Sequence, residues 1–361
     1  MPLFLDTGRS PAELNAANSV TIGLVNNMPD AAFEATERQF IELIRDAGPS
    51  RIVLLKLFAI PEVPRAAEMF GSLAGKYRDI AELWDTQLDG LIVTGTEPRA
   101  KNLKDEPYWR NLSAVVDWAR DHTASTVWSC LAAHAAVLHA DGIERQALPQ
   151  KQFGVFDCRL AADHPMTQQF PEPLWVPHSR FNTLPEDALM SAGYKILARS
   201  ATAGVDAFAK QEGSLFLYFQ GHPEYDADTL FREYRRDVAR FLNGERDVYP
   251  NLPRNYFDDV ATARAESFQE RAMAAKLAAG TADQRSALMA EFPNAALGTG
   301  LQNTWRPAAL SVYEKWVSFL SARKAERRNA TAAIKSPRLR RIWRDWPLPL
   351  QPRAKSLGEL K

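Results

Sequence analysis

The chain has 361 residues, 46% hydrophobic and 10% aromatic, with 44 Lys and Arg balancing 44 Asp and Glu. That apolar content fills a sizeable core and excludes a mainly disordered chain, and the length allows about two domains or one elaborated domain. Two cysteines exclude a disulfide scaffold and suit a reducing compartment. No run of about 18 apolar residues suggests a membrane span, and Met1 to Ser10 lacks the basic start and apolar stretch of a signal peptide. A soluble cytoplasmic protein is expected.

In chain order, Ser19 to Asn26 reads as a buried strand ending in Asn-Asn-Met-Pro. An amphipathic helix follows, with Phe33, Phe40, Ile41 and Ile44 on one stripe and Asp30 placed as its N-cap. Arg51 to Phe58 and Leu88 to Thr94 are nearly continuous apolar runs, as buried parallel strands require. A helix is expected over Tyr108 to His122, a strand over Ser125 to Cys130 and a helix over Ala132 to His139. This alternation predicts an α/β fold with an open, mostly parallel sheet flanked by helices. Sites in such sheets gather at the carboxyl ends of strands, here Asn26 to Met28, Thr94 to Thr96 and Ser129-Cys130.

Shorter strands then follow at Phe153 to Arg159, Leu174 to Val176, Tyr194 to Ser200, Val205 to Lys210 and Ser214 to Gln220. Helices return at Asp226 to Asn243, Thr262 to Ala279 and Pro307 to Lys324. The organisation read from this pattern is a main domain over 1–257, a helical insertion over 258–300, a packing helix over 301–325 and a basic tail over 326–361. From Arg323 onward twelve Lys and Arg face three acids, so the tail is +9 and the preceding body −9. A nucleic-acid binder would carry basic surface on its body as well, so the tail reads as a solvated, partly ordered extension. Neither an internal repeat nor a P-loop, dinucleotide fingerprint or zinc-type cysteine pair is present.

Cys130 is the first chemical candidate. It follows a strand and opens a helix, where free N–H groups and the helix dipole favour a thiolate and then an oxyanion. On its own a free cysteine is more often a small buried hydrophobe. The second candidate is Gly221-His222-Pro223-Glu224, in which alternate residues of an extended segment point the same way, so Glu224 can orient His222. Thiol, imidazole and carboxylate together supply nucleophile, base and orienter.

Ordered matches now accumulate: Asn27-Met28-Pro29, Asp89 to Gly95, Pro107-Tyr108-Trp109, Cys130, Lys151-x-Phe153 to Phe156, Pro177 to Arg180, Gly221 to Ala227, Arg236-Asp237, Asn255-Tyr256-Phe257, and Trp305 with Trp316. On these the chain resembles the homoserine O-succinyltransferases and O-acetyltransferases, which share a class I glutamine amidotransferase-like fold. The resemblance implies a ping-pong acyl transfer of methionine biosynthesis. Cys130 takes the acyl group of acyl-CoA as a thioester, His222 acts as base on the hydroxyl of L-homoserine, and Glu224 holds the imidazole. It also implies substrate contacts at Lys151, Ser179 and Arg236, acyl-CoA as co-substrate with no separate cofactor, and a homodimer. Read from the residues alone, Arg236 is equally a helix-surface salt bridge to Glu233 or Asp237.

Departures from the family pattern lie on the acyl side. The lysine that family members carry after Met-Pro is replaced by Asp30-Ala31-Ala32-Phe33, Leu131 follows the cysteine, and Pro307-Ala308 stands for Ser-His. At the position linked to donor choice stands Arg99, which suits the distal carboxylate of a succinyl group or a CoA phosphate. A succinyl donor is therefore expected ahead of acetyl. The alternatives are serine acylation, glutamine hydrolysis or a non-catalytic relative.

His134, one turn after Cys130, suggests Cys-x3-His, but a zinc site needs three or four ligands, so no metal is expected. His178 either lines the acceptor pocket or makes a structural hydrogen bond. Cys158 and the tryptophans at 109, 118, 305 and 316 read as core.

Overall fold

The computed structural model describes residues 3–5, 19–47, 52–66, 75–168, 173–277 and 282–335. Two compact units result, Met1–Ser321 and Ala322–Lys361. The sheet belongs to the first. Its strands are β1 (Leu3–Leu5), β2 (Ser19–Val25), β3 (Ile52–Ala59), β4 (Arg78–Asp79), β5 (Gly90–Val93), β6 (Ser125–Ser129), β7 (Gln146–Leu160), β8 (Leu174–Thr183), β9 (Lys195–Ser200), β10 (Gly204–Glu212) and β11 (Ser214–Phe219). The order is β1-β3-β2-β5-β6-β11-β10-β9-β7-β8, with β4 beside β3. From β1 to β11 every pairing is parallel, and from β11 to β8 every pairing is antiparallel. The mostly parallel α/β sheet read from the sequence is therefore present.

Strand alternation divides the core between the two faces. On β5, β6 and β11, Leu91, Val93, Trp128, Phe216 and Tyr218 pack against α2 (Trp109–His122) and α3 (Leu131–Asp141). Ile92, Val127, Leu215 and Leu217 turn the other way, toward α1 (Asp30–Asp46) and α9 (Arg306–Lys335). The shorter α4 (Glu186–Ser191) precedes β9, and α5 (Thr229–Leu242) follows β11. The segment read as an insertion folds as α6 (Asp259–Leu277), α7 (Ala282–Ala290) and α8 (Asn294–Gly298). Phe268, Phe292 and Leu297 pack there with Tyr234, Phe241 and Trp305. Of the basic tail, residues up to Lys335 continue α9, and 336–361 lie outside the described residues.

Three sequence expectations are corrected. Asp30 does not cap α1: Pro29 holds the N-cap position, and the Asp30 carboxylate instead accepts the Ala66 N–H at 2.7 Å. A helix start with proline ahead of it leaves no reason for the acid to fold back when a distant N–H is available. The strand expected to start at Phe153 begins at Gln146, with an irregularity between Ala147 and Gln152 that apolar periodicity does not reveal. The strand expected to stop at Val176 runs through Pro177 to Thr183, which proline permits because β8 is an edge strand. Among the described residues no helix is long and apolar enough to cross a membrane.

Candidate active site

Four strand ends converge at the carboxyl edge of the parallel sheet. After β2, the Asn27 N–H donates to Thr94 Oγ1 at 2.8 Å and its side-chain amide to the Thr94 carbonyl at 3.1 Å, tying that loop to the end of β5. The next residue, Gly95, approaches the start of α3 so closely that a Cβ there would lie 2.8 Å from the Leu131 nitrogen. After β6, Cys130 adopts φ 52 and ψ −112, a left-handed backbone rare for a residue with a side chain. Its N–H donates to the Phe219 carbonyl at 2.8 Å, and its own carbonyl accepts from Ala133 and His134. The Leu131 and Ala132 N–H groups precede that first bond, at the positive end of the helix dipole. Such strain, of order 1–3 kcal/mol, persists where surrounding structure enforces it and is common at functional sites.

Past β11, His222 N–H donates to the Pro177 carbonyl at 2.8 Å, and its Nδ1 meets Glu224 Oε1 at 2.8 Å. Ser129 Oγ donates to the same carboxylate oxygen at 3.4 Å. Cys130 lies close enough to the imidazole to act on its charge. Burial alone would lower its pKa, but Cys130 and Glu224 outweigh that and hold it well above the usual histidine range. Arg145 and Arg180 add positive potential at the sulfur. The three residues that the sequence singles out as nucleophile, base and orienter are therefore gathered at one place.

A second cluster adjoins the first through one ring. Tyr225 stacks on His222 with centroids 4.2 Å apart, and its hydroxyl donates to Glu233 Oε1 at 2.6 Å. The other Glu233 oxygen accepts from Ser179 Oγ and from Lys151 Nζ at 3.4 Å, with Arg236 at 3.7 Å. Burial would raise the Glu233 carboxyl, but Lys151, Arg236 and the two hydroxyls outweigh it and hold it below the usual range. Lys151 also reaches Asp237 Oδ2 at 2.9 Å, and Arg236 donates twice to Asp237 Oδ1, at 3.0 and 3.1 Å. Lys151, Ser179 and Arg236 thus meet at one carboxylate that sequence reasoning treated only as a salt-bridge partner. Arg236 pairs with the buried Asp237 and, 39% exposed itself, also lies near Glu233.

Arg99 stands exposed in the loop before α2. The buried Glu106 carboxylate shapes this loop by accepting the Arg99 and Ala100 N–H groups at 2.5 and 2.6 Å. Where the family's lysine is missing, the cation beside the Asn26 to Pro29 loop is Arg65, buried, donating to the Met28 and Asn26 carbonyls at 2.7 and 3.2 Å. His134 is a brace: its Nε2 meets Gln220 Oε1 at 2.9 Å, and burial pushes its pKa down to about 3, so the ring is neutral. His178 is fully buried, its Nδ1 accepting from Arg180 Nε at 3.2 Å. Cys158 and the tryptophans at 118, 305 and 316 are buried, and Trp109 is partly buried against the core.

Behind the His222 loop, Asp206 Oδ1 accepts the Gly221 N–H at 3.0 Å and faces His178 Nε2 at 3.4 Å, with Arg180 and His222 nearby. Burial pushes its carboxyl up to about 6 from 3.8. Since the folded pKa exceeds the unfolded one, Asp206 costs no stability below about pH 4, and the cost develops as pH rises through 6. Asp206→Asn, which keeps the acceptor for Gly221, is expected to stabilise the fold by ~1–3 kcal/mol at pH 8 and negligibly at pH 4, measured by urea unfolding at both. Equal effects at the two pH values would remove the ionisation argument.

A strained cysteine at a strand–helix turn, an imidazole beside it with a carboxylate behind, and a polar cluster one ring away form the kind of site on which group-transfer enzymes are built. Comparison with known proteins narrows that class. The homoserine O-succinyltransferase family model matches residues 6–327. A homoserine O-succinyltransferase of Rhodopseudomonas palustris is 48% identical over 87% of this chain and 92% of its own length. The proteins of that name from Bradyrhizobium japonicum (46%, 87% and 92%) and Methylobacter tundripaludum (37%, 82% and 82%) are also similar. A glutamine amidotransferase structure from Methylobacillus flagellatus is a remote likeness, 16% identical over 84% of this chain and 95% of its own, with a TM-score of 0.46. The chain belongs to the homoserine O-succinyltransferase family and is an acyltransferase.

Proposed function

We propose that this chain moves the acyl group of an acyl-CoA, succinyl-CoA first, to the hydroxyl of L-homoserine through a thioester on Cys130, a step of methionine biosynthesis. The observation that carries this reading is the gathering of Glu224, His222 and Cys130, with Glu224 fixed on Nδ1 and Cys130 near enough to raise the imidazole pKa. With its proton held on His222, the sulfur attacks the thioester carbonyl, the Leu131 and Ala132 N–H groups at the start of α3 stabilise the oxyanion, and His222 gives that proton to the departing CoA thiolate. Neutral His222 then takes the proton of the homoserine hydroxyl, whose oxygen attacks the Cys130 thioester; collapse frees O-acylhomoserine and the thiol. No metal or separate cofactor is required by this chemistry.

The Glu233 cluster suits a zwitterion. A buried, ionised carboxylate accepts an α-ammonium, while Lys151 and Arg236 serve an α-carboxylate, Arg236 with a planar fork. Ser179 orders Glu233 from the opposite strand. Arg99, exposed beyond β5, is assigned the distal carboxylate of the succinyl group.

Intact mass tests the whole reading. One succinyl unit should appear on the protein after succinyl-CoA alone, vanish on adding L-homoserine, and never form on Cys130→Ala. An adduct on Cys130→Ala, or none on the parent chain with either succinyl- or acetyl-CoA, would overturn it, and glutamine-dependent ammonia release would replace it. Arg99→Glu should lower the succinyl-over-acetyl preference in kcat/KM by about 10- to 150-fold, the range of a charge-assisted hydrogen bond.

A further inference from the structure

Two polar atoms beside the triad are buried with no partner: Glu224 Oε2 and the Tyr313 hydroxyl. They belong to side chains almost entirely sealed from solvent, on the loop after β11 and on α9. The course of α9 carries Tyr313 toward Glu224, whose charge acts on the phenol. At its start, Trp305 Nε1 donates to the Tyr225 carbonyl at 2.8 Å, at the edge where the site lies. Eleven residues on, Trp316 Nε1 donates to Ser125 Oγ at 3.0 Å, at the opposite end of β6. The helix therefore runs along β6 away from the site.

Ser125, Val127 and Ser129 share the β6 face turned to that helix, and Ser129 is the residue that touches Glu224. Tyr313 precedes Trp316 by three residues, about 4.5 Å nearer the site. Long side chains on a helix lean toward its N-terminus, here toward Glu224. The Glu224 charge adds to burial in holding the phenol well above its usual pKa, so it stays a donor.

We infer that Tyr313 is a positioning residue for the acyl transfer: its phenol donates to Glu224 Oε2, directly or through one water, and keeps Oε1 on His222. A carboxylate held at one oxygen can rotate off the imidazole; a second donor prevents that. The inference rests on the proposed Cys130–His222–Glu224 chemistry. It makes the C-terminal helix part of the active site, although no Tyr313 atom is assigned a contact with substrate.

A double-mutant cycle tests it, with kcat, KM for L-homoserine and the single-turnover rate of acylation by succinyl-CoA read for the parent chain, Tyr313→Phe, Glu224→Gln and the double variant. Tyr313→Phe keeps the ring packed on Trp316, and thermal unfolding checks that it folds. Its kcat should fall about tenfold with KM within about twofold, and in the Glu224→Gln background the loss should shrink below about twofold. Equal losses in both backgrounds would mean the phenol acts through packing, and no loss in the parent would mean it does nothing; either overturns the inference. Replacement at 313 by 3-fluorotyrosine, which retains the donor, should restore kcat, and continued loss would count against it. A Cys130→Ala protein that turns over normally would fell the underlying chemistry instead, so the two failures are separable.

Discussion

Cys130→Ala is expected to lower kcat for homoserine-dependent CoA release by about four to six orders of magnitude while leaving the fold intact. The size follows from removing the nucleophile of a two-step transfer, since the remaining machinery can only assist a direct attack by the homoserine hydroxyl. Preservation of the fold follows from the backbone. Cys130 is only half-buried, its N–H and carbonyl are bonded to Phe219, Ala133 and His134, and alanine bears the same φ 52 strain as cysteine. Cys130→Gly separates these roles further: glycine visits that region freely, so this variant should be equally inactive and about 1 kcal/mol more stable. The measurements are thiol release and thermal unfolding on the same preparations. An alanine variant within about tenfold of the parent would show that the acyl group never resides on that sulfur.

Much of this site was legible because strand ends are legible. Leu88 to Thr94 and Ser125 to Cys130 are apolar runs closed by Gly95 and by a helix start, and the Gly221 to Glu224 run follows another strand, so one edge gathers Cys130, His222 and Glu224. The left-handed φ of Cys130 has no such signature, because cysteine does not favour it and tertiary surroundings hold it, with the Cys130 N–H on the Phe219 carbonyl and Gly95 close against Leu131. Glu233 was hidden for a different reason. Its spacing from Arg236 reads as a surface pair, and only the crossing of β7, β8 and α5 brings Lys151, Ser179 and Tyr225 onto the same carboxylate. Arg65 and Tyr313 were hidden by distance along the chain, one 37 residues beyond the Met28 carbonyl it serves and the other on a helix that composition marks only as core. Local pattern fixes what a residue can do, whereas partners set by topology decide what it does.

His222→Asn should slow both half-reactions by about 10²–10⁴. The imidazole serves them in opposite protonation states, and the chemistry itself changes its pKa between the two. In the free enzyme His222 lies well above its usual pKa because Cys130 and Glu224 together outweigh burial. It is then an imidazolium facing the sulfur, the form that can protonate the departing CoA thiolate. Thioester formation blocks the sulfur, which then no longer acts on the ring as it does in the free enzyme. One of the two raising influences disappears, burial counts for more, and the pKa falls, which yields the neutral imidazole needed to deprotonate the homoserine hydroxyl. Deacylation of the parent should accordingly show an acid limb below the pKa at which free His222 titrates, and the limb should be absent in His222→Asn, whose residual rate should rise with hydroxide. Rapid-quench measurement of acylation by succinyl-CoA, and of the return of free enzyme on adding homoserine, across pH 5 to 9 reads both steps. A variant that keeps the parental limb, or deacylates within about threefold of the parent, would move the base elsewhere. Glu224→Gln should fall between the two, because the amide still orients the ring through Oε1 while withdrawing the charge that, with the sulfur, raised its pKa.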